Sequence, residues 1–127
     1  MLIGHVALYT ENLETMRDFY VNYFEAESEE LYENESTGFQ SYFLTFSDGG
    51  ALLEIMRRPH VVERRDGLNI GYAHLAFSTG SAAEVDSLTA RLKTDGYTIK
   101  GEPRFTGDGF YESVALDPDQ NEIEITV

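Results

Sequence analysis

Apolar and polar positions along the chain switch between a period of two and a helical period, and the switches predict a repeated order of elements. Residues 3–10 are apolar and partly β-branched and read as a strand, with His5 on the face of Ile3 and Ala7. Asn12 offers an N-cap, after which Leu13, Met16, Tyr20 and Tyr23 or Phe24 recur at helical spacing. Residues 27–34 predict a weak acidic strand at a sheet edge, where charge discourages pairing with other chains. Residues 39–47 predict a stronger strand, with Phe39, Ser41, Phe43 and Thr45 on one face and Gln40, Tyr42, Leu44 and Phe46 on the other. Asp48-Gly49-Gly50 signals a tight turn before a returning strand at 51–57, and 58–71, with Pro59 and Gly67, reads as a connection.

The plan then starts again. Residues 72–79 read as a strand, Ser81-Ala82-Ala83-Glu84 has the layout of a capping box, and Val85, Leu88 and Leu92 make a helical stripe that Gly96 should end. Strands follow at 98–101 and 110–117, separated by a turn bearing Pro and Gly. Residues 117–121 (DPDQN) make a turn cluster leading into a last strand at 122–127. Direct superposition supports a repeat: 4–10 (GHVALYT) lies over 73–79 (AHLAFST) at an offset of 69, and 51–56 (ALLEIM) over 121–126 (NEIEIT) at an offset of 70.

A polar residue interrupts both apolar pairs at the same place: His5 and His74 in one, Glu54 and Glu124 in the other. Singly, each has a structural explanation. A strand histidine is commonly a hydrogen-bonded structural residue, and Glu124 alternates with Ile123 and Ile125 as a solvent-facing residue would. Glu54, within Leu52-Leu53-Glu54-Ile55-Met56, needs a partner to sit there. Together, two imidazoles and two carboxylates, one pair per repeat, make a borderline-to-hard donor set for Zn²⁺, Ni²⁺, Co²⁺, Mn²⁺ or Fe²⁺.

Composition narrows the alternatives. The 127 residues fit one domain of common size, and with no Cys there are no disulfides, thiolate zinc sites, iron–sulfur clusters or cysteine nucleophiles. No apolar run approaches a bilayer span, so no membrane role is expected and the cytoplasm is the default location. A net charge of −14 repels phosphate backbones and anionic leaflets and argues against nucleic-acid binding. Four of the nine basic residues, Arg57, Arg58, Arg64 and Arg65, cluster around His60, either as a solvated loop or as an anion-attracting mouth.

On these residues the chain resembles the vicinal-oxygen-chelate superfamily (glyoxalase, bleomycin resistance protein, dioxygenase), and most its glyoxalase I branch. The likeness spans essentially the whole chain, and 117–124 (DPDQNEIE) resembles the family's turn-and-strand ending. The resemblance implies an α+β fold in which two tandem βαβββ modules, about 1–58 and about 71–127, form a curved mixed sheet in a single domain. It further implies one divalent metal (Ni, Zn, Co or Mn) per site, held by His5, Glu54, His74 and Glu124, with ligands shared between the two chains of a homodimer. Glu124 would be the leading base and Glu54 a possible second one. The implied reaction isomerises a thiol–2-oxoaldehyde hemithioacetal to a 2-hydroxyacyl thioester.

Tyr9 and Arg58 stand where glutathione-using relatives tend to carry a basic residue and Asn. With Arg57 they are the substrate-binding candidates, an Arg fork being suited to a carboxylate, and the identity of the thiol stays open. Other members of the family suggest two further readings: a non-catalytic small-molecule binding or resistance protein, and another metal-dependent isomerase or dioxygenase.

Overall fold

Alternating burial in β1 (His5–Tyr9) places Val6 and Leu8 toward a helix and His5, Ala7 and Tyr9 on the other face. The computed structural model describes residues 1–47, 49–61 and 70–127, and they fall into two units, Met1–Asn69 and Ile70–Val127. In the first unit β1 leads to α1 (Leu13–Phe24), then β2 (Glu27–Ser28), β3 (Tyr32–Asn34), β4 (Phe39–Thr45) and β5 (Leu52–Arg57). The sheet runs β1-β5-β4-β2, with β3 also on β4; β1 and β5 are parallel and the other pairings antiparallel.

The helix forms where its cap and stripe place it. The Asn12 side chain accepts the Thr15 N–H at 3.1 Å, satisfying a first-turn donor that would otherwise lack a partner. Leu13, Met16, Phe19 and Tyr20 are buried, as are Tyr42, Leu44, Leu53 and Ile55 on the facing side of the sheet. Tyr42 ties the two layers together. Its hydroxyl donates to Glu14 at 2.6 Å and accepts from Arg17 at 3.1 Å. The bond to Glu14 comes first among the causes that hold its phenol above the ordinary tyrosine range.

The expected acidic strand at 27–34 is split. Ser28 pairs with Leu44 and Tyr32 with Ser41, so four steps on the edge face three on β4. The surplus residue is absorbed at 30–31, past Glu29, whose N–H still bonds to Phe43 O at 2.9 Å, and a bulge of this kind blunts an edge.

The second unit repeats the order with β6 (His74–Ser78), α2 (Ala82–Thr94), β7 (Ile99–Phe105), β8 (Tyr111–Leu116) and β9 (Glu122–Thr126), arranged β6-β9-β8-β7. Ser81 caps α2 by accepting the Glu84 N–H at 3.3 Å, while the Glu84 carboxylate meets the Ser81 hydroxyl at 3.1 Å. Gly96, at φ 92°, turns the chain out of the helix, and the Tyr97 N–H closes it on Leu92 O at 2.9 Å. Val85, Thr89 and Leu92 are buried. Thr89, rather than Leu88, completes the stripe, because its hydroxyl meets Ser113 at 2.6 Å and also bonds to Val85 O at 2.6 Å. A mixed sheet with one helix in each unit is the α+β architecture expected.

One expectation on this side fails. The turn predicted after residue 101 lies inside β7, which runs through Pro103 to Phe105. Proline survives there because β7 is an edge strand and its register slips between Ile99 and Gly101 and again between Gly101 and Arg104.

Candidate functional site

Strand register decides where the interrupting polar residues go. In the first unit His5 is the Cα partner of Leu52, and Ala7 that of Glu54. His5 therefore meets Glu54 diagonally across two parallel strands, Nε2 to Oε2 at 3.7 Å. In the second unit His74 partners Glu122, Ala76 partners Glu124, and His74 Nε2 lies 3.2 Å from Glu124 Oε2 on the same diagonal. Both pairs sit on the sheet face away from the helix, since the alternating Leu53, Ile55, Ile123 and Ile125 are the buried residues. The carboxylate side chains are the more sheltered, at 14% and 22% exposed, against 51% and 39% for the imidazoles. Each unit thus presents two convergent donors with the imidazole open to solvent.

The first unit's face is apolar and aromatic. Phe43 is the register partner of Glu54 on the far side, and its ring meets His5 edge-on at 5.7 Å and 89°. The Tyr9 hydroxyl accepts from Arg58 Nη1 at 3.5 Å, a long contact that brings these two candidates together at one end of the strands. Arg57 goes elsewhere: alternation puts it on the side of Leu53 and Ile55, opposite Glu54. Arg64 and Arg65 lie outside the described residues.

The second unit's face is charged. Glu122, Glu124 and Thr126 share it with Glu112, Val114 and Leu116 of β8. Lys100 pairs with Glu122, and Arg104 approaches Glu112 at 3.7 Å. Neither cation stood out in the sequence, because their partners Glu122 and Glu112 lie on other strands and are set by sheet pairing. A shallow groove lined by Arg17, Asp18, Val21, Leu31 and Tyr42 lies on the helix side of the first sheet, away from Glu54.

β9 is positioned by the turn before it. Asp117, 1% exposed, accepts the N–H groups of Asp119 (3.0 Å) and Asn121 (2.8 Å) and the Asn121 amide (2.8 Å). Burial pushes its carboxyl above the ordinary range, and these three donors partly offset it.

The donor set suits a divalent metal in kind. Imidazole nitrogen and carboxylate oxygen are the ligands a borderline divalent ion takes, and each pair is compact enough to point at one ion. Among the described residues no three His, Cys, Asp or Glu gather where an ion would be held. No helix among them is long and apolar enough to cross a membrane.

A sequence model of the glyoxalase/bleomycin resistance protein/dioxygenase superfamily matches residues 2–125. The uncharacterized protein YqjT of Bacillus subtilis is 27% identical over 126 residues, covering 95% of this chain and 94% of its own. Among solved structures, a glyoxalase I mutant of Zea mays superposes with a TM-score of 0.81 at 21% identity, over 98% of this chain. This chain spans 44% of that maize protein's length. The trypanothione-dependent glyoxalase I of Leishmania major superposes with a TM-score of 0.79 at 19% identity, over 99% of this chain and 86% of that one.

Proposed function

The chain belongs to the glyoxalase/bleomycin resistance protein/dioxygenase superfamily, and from that premise we propose that it is a metal-dependent, glyoxalase I-like lyase. The reaction is isomerisation of a thiol–2-oxoaldehyde hemithioacetal to a 2-hydroxyacyl thioester. The observation that carries the reading is the repeated diagonal: an imidazole and a carboxylate within 3.7 Å in one unit and 3.2 Å in the other, at equivalent register positions.

In this reading His5, Glu54, His74 and Glu124 hold one ion (Ni, Zn, Co or Mn), and a homodimer joins the first pair of one copy to the second pair of the other. Each unit offers one imidazole and one carboxylate, so a four-donor site draws on both kinds of pair. When bound, the metal supplies Lewis acidity that stabilises negative charge on the substrate oxygens. Glu124 takes the proton from the carbon that carries sulfur and returns it to the neighbouring carbon, so no atom is gained or lost. Glu54, sheltered among Leu52, Met56 and Phe43, faces the substrate from the other side, as ligand and possible second base. Tyr9 and Arg58 receive a carboxylate of the thiol carrier, the guanidinium supplying the charge. Arg57 is left out because it projects to the opposite face.

The test is a chelator-stripped, metal-reconstituted assay with methylglyoxal and a panel of thiols, following thioester absorbance. The expected result is about one ion per site and metal-dependent thioester formation with at least one thiol. Absence of metal uptake after incubation with Ni²⁺ or Zn²⁺ would refute it. Chelator-insensitive binding of an intact aromatic ligand would instead place the chain with non-catalytic binding or resistance proteins.

A further inference from the structure

The two units differ at the position directly opposite the histidine. His5 faces Leu52, which cannot compete for it, whereas His74 faces a second carboxylate, Glu122. Neighbouring strands are about 4.8 Å apart, so the Glu122 side chain has the reach to meet the imidazole across that gap. It pairs with Lys100 instead, and His74 pairs with Glu124, the next residue along the same face.

Lys100 reaches this face by strand alternation: Ile99 pairs with the buried Ala115, so its neighbour falls on the side of Val114 and Glu124, and a register slip follows directly after it. Between the pairs Ile99–Ala115 and Gly101–Val114, β7 advances two residues while β8 advances one. The surplus residue is Lys100. A bulge of this kind bends the strand, and at it stands an ammonium that spans β8 to reach Glu122 on β9.

We infer that Lys100 is a positioning residue that holds Glu122 away from His74, so that Glu124 alone of β9 joins the donor set. The inference rests on the metal reading above and concerns which carboxylate the second unit contributes. Leu52 serves the same end in the first unit without a cation, by having nothing to donate.

The experiment measures Zn²⁺ affinity by competition with a chromophoric chelator, together with the absorption bands of the Co²⁺-loaded protein. Lys100→Met frees Glu122 to join the ion. Affinity should rise about tenfold, the scale on which outer-shell partners act, and the Co²⁺ bands should shift as a carboxylate is added. Lys100→Gln should do the same. Glu122→Leu, which copies the first unit, should keep the parent's affinity and bands, and Lys100→Met with Glu122→Leu should return to them. Unchanged affinity in Lys100→Met overturns the inference, as does an affinity change with unmoved bands, which would make Lys100 a source of local charge only. Loss of metal in Glu122→Leu overturns it too, because Glu122 would then be a ligand. A parent protein that takes up no metal removes the reading beneath the inference; a parent that binds metal with Lys100→Met unchanged removes the inference alone.

Discussion

The first and second units place a histidine and a glutamate on the same diagonal and surround them with opposite chemistry. Around His5 and Glu54 stand Leu52, Phe43, Met56 and Tyr9; around His74 and Glu124 stand Glu122, Glu112, Lys100 and Arg104. The turns that deliver the two glutamate strands differ as well. Ahead of β5 the chain uses Gly49 and Gly50 at φ 78° and 97°, and ahead of β9 it uses the buried carboxylate of Asp117. The two units thus share the backbone relation that sets donor spacing and differ in side-chain environment. On the proposed metal reading, the shared diagonal supplies both donor pairs, and the unequal surroundings predict unequal roles for their carboxylates.

The sharpest way to break that division is at the carboxylates. Glu124→Gln should leave metal uptake in place and lower turnover by about 10²- to 10⁴-fold, the range of a lost general base. Glu54→Gln should weaken metal uptake more and turnover of the loaded protein less. Metal content by elemental analysis, read beside kcat, checks both. Equal losses of turnover in the two variants would mean that the surroundings do not distinguish the bases.

Next in size is the contrast between turns. Asp117→Ala leaves two backbone N–H groups and the Asn121 amide without their acceptor and should cost about 2–4 kcal/mol in denaturant unfolding. Gly50→Ala meets nothing within 4 Å, so only its left-handed backbone is penalised, at about 1–2 kcal/mol. Asp117 also predicts a pH signature. A carboxyl raised by burial contributes its stability fully below its unfolded-state pKa and loses it as pH rises through the folded one. The gap in stability between the parent and Asp117→Asn should therefore be wider in acid and narrow as pH climbs through the carboxylate range.

These contrasts also show what the linear pattern could carry. His5, Glu54, His74 and Glu124 stood out because a polar residue inside an apolar strand is conspicuous, and the repeated offset put them at matching places. Asn12, Ser81 and Gly96 were legible because caps act within one helical turn. Lys100 and Arg104 were not, because their partners Glu122 and Glu112 lie on other strands, and no local window contains that pairing. Arg57 was grouped with Arg58 by adjacency, yet neighbouring strand residues point to opposite faces. Phe19 and Thr89 escaped because a stripe of one residue per turn underestimates the buried arc of each helix. The split of 27–34 needed the count of β4 residues opposite it, which no local window contains.

The smallest effect asked of the comparison concerns how each histidine is oriented. His5 is half exposed and has a ring edge-on at 5.7 Å; the residue at the matching register position in the second unit is Val114, which brings no ring to His74. Removing the ring by Phe43→Leu should cost about 0.5 kcal/mol of stability, the low end for an aromatic pair, because solvent already reaches the imidazole. The clearer signal is magnetic. With three histidines in the chain, the imidazole protons are few enough to assign, and those of His5 should move as the neighbouring ring current disappears, while those of His74 stay. Freed from the ring, the His5 imidazole samples more rotamers, so metal affinity should fall modestly with Phe43→Leu and stay unchanged with Val114→Ala. If both histidines keep their resonances in Phe43→Leu, the aromatic face of the first unit belongs to the substrate rather than to the ligand.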